Sequence, residues 1–480
     1  MKFHVFKLFS LLAVGLLMAG CVSAPTPESA DVPWAPPESA QKNNDVWRAI
    51  RSQKIDFSRP LALADLADIA LRNNPASSKA WNDARMAAEQ VTHAQGYFMP
   101  EIKAIASGSK QKTAANPEAY DVDYTKYGPG LQVNYLIINF GGGRRAAIEQ
   151  ALQTVYAADF SFNRSIQDIL LAVETAYFGV ISAEAGIKAA DASIKDAEKT
   201  LEVARERLKN GVGTELETLQ AKAGYDQSLY SKASVEGLYK IACGALAQAV
   251  GVPADTRIKL AQPAGEVPGL PAEQDMKNLV DNAMQRRPDI AALRANLAAK
   301  QAAIRVAGAA YWPSLFLNGS LNQNYFDSEI EDRFQDDDWS YGGALSLQWT
   351  LFDGLQNVSE KHMAVADAES AKAQLRQAEL AASTDVWARY YNYETAVQKY
   401  KFSTAYLESV SATYDLALDS YKAQLISILD LLNAETQLAQ ARMQNITARQ
   451  DVFTALANMA YSTGLLGKGG SIEAWKTLQK

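Results

Sequence analysis

Three histidines and two cysteines in 480 residues leave little from which to build a metal centre or a disulfide framework. His4 sits in the N-terminal apolar leader, while His93 and His362 stand alone in helix-like stretches, so no zinc-ligand spacing exists. Basic charge is also in short supply. The formal net charge of −7 argues against nucleic acid as a partner. Phosphate-loop spacing is missing: "GLLGKGGS" (Gly464 to Ser471) has the wrong pattern and no long helix after it, and "GGGRR" (Gly141 to Arg145) reads as a strand-to-helix bend. No cofactor or metal is called for, and the chain is not expected to be an enzyme. Glycine and proline are wholly absent from Leu355 to Thr463, which leaves a very long stretch free to be helical.

The one apolar run near the N-terminus, Leu8 to Met18 after Lys2 and Lys7, is too short to span a bilayer and reads as a secretory signal over residues 1–20. It closes on "LMAGC" (Leu17 to Cys21), which resembles a bacterial lipobox and implies cleavage before Cys21 and acylation of that cysteine. Val22, not Asp, follows it, which favours the outer membrane as the address. Residues 21–60, rich in Pro, Ser and Ala at their start, read as a lipid-anchored tether. With Cys21 acylated, Cys243 has no disulfide partner and is expected to be a small buried apolar residue.

The mature chain is written twice, at an offset of about 213 residues. In that register Leu66, Pro75, Pro100, Gly130, Lys209, Leu216 and Gly251 meet Leu279, Pro288, Pro313, Gly343, Lys422, Leu429 and Gly464. The first repeat covers 61–252 and the second 276–464, with a linker at 253–275 and a C-terminal tail at 465–480. Each is expected to run helix, strand, strand, helix, helix. The first helix should extend from Leu61 to Phe98 and from Met276 to Trp312, ending at proline. The strands alternate: Leu315, Leu317 and Leu321 oppose Asn318, Ser320, Asn322 and Asn324, and Leu345, Leu347, Trp349 and Leu351 oppose Ser346, Gln348 and Thr350. The later strand of each pair should span Leu131 to Ile137 and Leu345 to Phe352. A helix from Arg145 to Leu208 would be ~95 Å long, beyond the needs of a compact domain.

Four strands of about ten residues, apolar on one face and polar on the other, have the length that crosses a bilayer when tilted. They cannot close a barrel, so several chains must share one. Tyr97, Phe98, Tyr311 and Trp312 lie at the helix-to-strand junctions, where an interfacial aromatic girdle belongs. The competing reading is a sandwich with one wetted face.

These features together resemble the TolC family of outer-membrane factors, in its lipoprotein branch. The specific motifs are "RLKNGVGTELETLQA" (Arg207 to Ala221), "SYKAQLISILDLLNAE" (Ser420 to Glu435) and "LFDG" (Leu351 to Gly354). The resemblance implies a homotrimer with a shared twelve-stranded β-barrel in outer-membrane lipid, a periplasmic α-helical barrel, and passive export from an inner-membrane transporter through a periplasmic adaptor. Type I protein secretion is the alternative within that class. A structural periplasmic coiled-coil lipoprotein is the alternative outside it. The resemblance assigns a periplasmic gate to Glu217, Tyr421, Asp430 and Asn433, and adaptor-facing turns to Gly211, Val212, Gly213 and Thr214 and to Leu425, Ile426 and Ser427. Asn433 stands where the family has an acid, and Ile426 where some members have a locking arginine, so a salt-bridge lock of that design is not expected. Thr214 with Glu217 and Ser427 with Asp430 also fit helix-capping boxes, an equally good account of both acids. As gate groups, rings of carboxylates would raise one another's apparent pKa. The acidic loop "DSEIEDRFQDDDW" (Asp327 to Trp339) reads as a solvated surface loop ahead of a cation site.

Overall fold

The computed structural model describes residues 57, 59–113, 122–261, 276–328, 338–467 and 469–478. Cys21 with its lipobox and most of the acidic loop lie outside these residues, as does 262–275 of the expected linker.

The first repeat comprises helices α1 (Leu63–Asn73) and α2 (Pro75–Gly96), strands β1 (Glu101–Thr113) and β2 (Val122–Asn139), and helices α3 (Gly143–Lys209) and α4 (Glu215–Val250). Its counterpart comprises α5 (Met276–Arg286), α6 (Pro288–Gly308), β3 (Ser314–Ser328), β4 (Asp338–Gln348), α7 (Gln356–Lys422) and α8 (Ile428–Ser462). A last helix, α9 (Gly470–Leu478), has no equivalent among the described residues of the first repeat. Both α3 and α7 are 67 residues long, about 100 Å at 1.5 Å per residue. α3 is apolar enough in one window to cross a membrane by length and composition, but it is packed against α2, α4, α6 and α8.

The single expected first helix is two helices in each repeat. Pro75 and Pro288 have no N–H to continue the preceding helix and instead open the next one, where a missing donor is harmless. Asn74 caps α2 by accepting from Ala76 N, and its amide donates to Ala249 O at 3.0 Å. The strands differ from expectation as well. β1, β2 and β3 are longer than ten residues, and β4 stops at Gln348 instead of reaching Phe352. Trp349 leaves the ladder and donates its indole N–H to Tyr311 O at 3.0 Å. The C-terminal tail is no mere tail: α9 packs Ala474 beside Ala67, Leu170, Ala460 and Leu466. Glu174 of α3 receives the Ser471 N–H at 3.1 Å and is also bonded by the Ser471 hydroxyl, capping α9 from a buried position. Cys243 is half-buried, not buried, and sits against Tyr239.

The sheet runs β1-β2-β3-β4, all antiparallel. Its register stacks Ala104, Leu131, Leu321 and Tyr341 in one row on one face, and Lys103, Gln132, Ser320 and Gly342 in a row on the other. Leu131, Leu317, Leu321, Leu345 and Leu347 are exposed, whereas Asn324 on the polar face is buried and Asn318 and Ser320 are half-buried. That inverts the sandwich expectation, since a sheet packed in water hides its apolar side. A register shift between Leu136 and Ile138 interrupts the β2–β3 pairing. Arg144, from the first turn of α3, donates to Leu136 O at 2.6 Å and Ile137 O at 2.5 Å, and its guanidinium lies 4.3 Å from the Phe98 ring centre. Gly141 beside it is obligatory: a Cβ there would lie 2.6 Å from Ala309 Cα. Beyond the expected aromatics at this end, a second group marks the other end of the sheet, where Tyr127 stacks on its pairing partner Tyr325 at 5.6 Å. Two aromatic rows bracketing an outward apolar band are the pattern of a lipid-facing sheet.

Candidate functional site at the interhelical turns

At the far end of the long helices, α3 returns into α4 and α7 into α8. Both turns are Schellman motifs closed by a residue in the left-handed region. In the first, Val212 N donates to Arg207 O at 3.0 Å around Gly211, whose φ is 73°. In the second, Leu425 N donates to Ser420 O at 2.9 Å around Gln424, whose φ is 66°. A side chain in that region costs about 1 kcal/mol that glycine avoids. Val212, Leu216, Leu425 and Leu429 are exposed along these turns, while Ile426 turns inward onto the core. That core joins Leu201 and Ala204 of α3 to Val410, Tyr414, Leu418 and Tyr421 of α7 and Leu431 and Leu438 of α8.

The two acids do different things. Asp430 closes a full capping box: Ser427 Oγ accepts from Asp430 N at 3.3 Å, and the carboxylate accepts from Ser427 N at 3.1 Å and Ser427 Oγ at 2.7 Å. These hydrogen bonds hold the exposed Asp430 carboxyl of a single copy below its ordinary value. Thr214 Oγ1 likewise accepts from Glu217 N at 3.2 Å, but no capping box is formed there. The Glu217 carboxylate instead accepts from the Tyr421 hydroxyl at 3.0 Å. Burial of Tyr421, followed by this bond and the Glu217 charge, pushes the phenol up to about 12. Glu217 and Tyr421 are thus brought together across the two repeats, whereas Asp430 bonds locally and Asn433 lies exposed one turn on.

Arg207 was within the quoted motif but was given no role by sequence reasoning. Its Nη1 donates to Tyr421 O, its Nη2 to Val212 O at 3.3 Å, and its guanidinium lies 4.3 Å from the Tyr421 ring centre. Nε is 4.0 Å from Glu217 Oε2. The available signal was a cation in the last turn of a helix, which complements the dipole. The partner Tyr421 is 214 residues away and could not be read from it.

A second polar layer lies above the turns. Thr200 Oγ1 donates to Glu435 at 2.7 Å, Tyr414 Oη to Asp196 O at 3.0 Å, and Arg442 Nη2 to Asp196 Oδ2 at 2.7 Å. Burial pushes the Glu435 carboxyl up. Glu435 lines a cavity of 540 Å³ between α3, α4 and α8 with Ser193, Gln220, Gly224 and Gln227.

The model of the outer membrane efflux protein family matches residues 66–252 and again 279–465. This chain belongs to that family. The two matches to the outer membrane efflux model are the two repeats, and the family is one of channels, not enzymes. Protein CyaE of Bordetella pertussis is 26% identical over 415 residues, covering 85% of each chain. The pyoverdine export outer membrane protein OpmQ of Pseudomonas aeruginosa is 25% identical over 480 residues, covering 96% of this chain and 95% of its own. Among solved structures, the CmeC outer membrane channel of Campylobacter jejuni superposes with a TM-score of 0.72 at 16% identity, covering 96% of this chain and 98% of that one. The fold is that of the TolC-like outer-membrane channels.

Proposed function

We propose that the chain is the outer-membrane duct of a tripartite efflux system, working as a homotrimer in which each copy gives four strands to a twelve-stranded barrel and its long helices to a periplasmic tube. The observation that carries this reading is the sheet. It turns a registered apolar face outward and a polar face inward, and it leaves the β1 and β4 edges without a neighbour among the described strands. Open edges are not tolerated in lipid, so neighbouring copies must pair them. A bracing rod has no use for such a stripe, which is what disfavours the structural-lipoprotein alternative.

In this assembly acylated Cys21 tethers the N-terminus to the outer membrane, the exposed turns meet a periplasmic adaptor, and an inner-membrane transporter supplies the cargo. Glu217 and Tyr421 link the two hairpins of one copy and hold the periplasmic end narrow. Asp430, capped yet exposed, contributes a ring of negative charge that favours cations at the mouth. Conductance of the purified protein across planar bilayers tests the duct. Closure-prone, cation-selective currents are expected, and complete silence even after Glu217→Gln, which frees Tyr421, would support the rod. Mass spectrometry of the mature N-terminus should show an acylated cysteine; an unmodified one would refute the anchor.

A further inference from the structure

We propose that Arg207 is the positioning cation of this gate, clasping Tyr421 to hold the two turns of one chain together in the closed state, with Glu217 as the element that changes partner on release. The inference rests on the duct reading. It starts from an imbalance. The Arg207 side chain is largely buried, with 13% of its surface exposed, and its Nε has no hydrogen-bond acceptor. Arg207 belongs to the first repeat, yet it binds the carbonyl and covers the ring of Tyr421, which ends α7 of the second. The tyrosine is therefore held at its main chain and ring by Arg207 and at its hydroxyl by Glu217. The corresponding position in the second repeat is Ser420, which has no charge to return the contact. The lock that Ile426 cannot supply is thereby replaced by a cation from the other repeat.

Glu217 Oε2 accepts from Tyr421 Oη at 3.0 Å while lying 4.0 Å from the unpaired Arg207 Nε. A shift of about 1 Å brings that N–H within bonding distance. When α7 withdraws Tyr421, the carboxylate can turn to the Arg207 Nε, so Glu217 has a donor in both positions. A group that exchanges one partner for another is what a switch requires. Lysine would keep the charge but lose the fork and the stack.

The test compares wild type, Arg207→Ala, Arg207→Lys and Tyr421→Phe, with both double variants, by time-averaged conductance in planar bilayers and by hydrogen exchange of the segment 420–427. Removing the clasp should shift the closed-to-open ratio about tenfold. Arg207→Lys should resemble Arg207→Ala, and both should still ease opening on the Tyr421→Phe background, which keeps the carbonyl and the ring that Arg207 holds. A wild-type-like Arg207→Lys, or Arg207 variants without effect on the Tyr421→Phe background, overturns the proposal. If wild type and Glu217→Gln are both silent, the duct reading has failed, and the exchange data decide the clasp alone: faster exchange in Arg207→Lys supports it, and unchanged exchange overturns it.

Discussion

Asn74 and Arg287 occupy the same place in the two repeats, each just before the proline that opens α2 or α6, and each reaches a carbonyl at the end of the repeat's last long helix. Asn74 makes one such contact, to Ala249 O at 3.0 Å. Arg287 donates to Ser462 O at 3.2 Å and also binds Asp289 at 2.8 Å and Asp385 at 3.0 Å. Asp289 in turn lies 3.7 Å from Arg164, which covers the Tyr461 ring. Asn74 has no such network around it among the described residues, while α3 of the first repeat lends Arg164 to the Arg287 network and Glu174 to α9. The turns show the same divergence: glycine at 211 against Gln424, and a carboxylate reaching across at Glu217 against one bonded locally at Asp430. Backbone geometry has been kept in both copies while the chemistry holding it has diverged.

The largest effect should come from the hinge. Arg287→Ala removes the cation shared by two partly buried carboxylates, leaving Asp289 to Arg164 and Asp385 to Arg389, and should cost about 3 kcal/mol, against about 1 for Asn74→Ala. Burial works upward on the Asp289 carboxyl, but hydrogen bonds and charge from Arg287, with Arg164 behind them, outweigh it and hold the group below its ordinary value. Its stabilisation is therefore complete above the ordinary carboxylate range and is lost as pH falls through the lowered value. Melting temperatures across acidic pH should show that loss in wild type and in Asn74→Ala, and a flattened acid limb in Arg287→Ala. Equal costs at the two hinges would erase the contrast.

Next comes the sheet, where the two faces are compared. Leu321→Arg, in the central row, should cost about 2–3 kcal/mol, and Ser320→Arg little. Leu347, paired with Leu315 one step from the end of β4, lies too near the margin to serve as such a probe. Urea unfolding in bilayers measures both, and equal effects would mean that the apolar face does not meet lipid.

A smaller change is expected from exchanging turn residues. Gln424→Gly should stabilise by about 0.5–1 kcal/mol, and Gly211→Gln should destabilise by about 1. Thermal unfolding of the two variants checks the pair, and a neutral Gly211→Gln would show that the first turn does not need its glycine. The smallest structural change separates the acids by function: Asp430→Asn should lower cation selectivity with closure little altered, while Glu217→Gln should ease opening with selectivity little altered. Reversal potentials and open probability, read together, would sink the division if both variants changed the same quantity.

Much of this was legible in the sequence because repetition is a strong signal. An offset fixed by a handful of Pro, Gly and Leu positions anticipated helices that start in step, and alternation in β3 and β4 assigned the two faces. Residues whose meaning depends on distant partners were not legible. Arg207 has no local reason to meet Tyr421, and Thr214-x-x-Glu217 reads as a capping box because the competing Tyr421 hydroxyl is far away in the chain. The breaks at Pro75 and Pro288 were visible as residues but not as breaks, since a proline can also open a helix. β2 exceeded its expected length because its outer half carries Tyr, Lys and Thr, which blur the alternation.

The strand order has one more consequence. β2 and β3 are neighbours at the centre of the sheet yet come from different repeats, so the seam between the copies is sewn by the same hydrogen bonds that would join separate molecules. A polypeptide with a single repeat would carry one hairpin and need twice as many subunits to surround the same bore. The covalent connection turns half of those encounters into intramolecular ones, which need no second molecule to arrive. The segment joining the repeats thus acts on the arithmetic of assembly: it halves the number of molecules that must meet to surround a given bore.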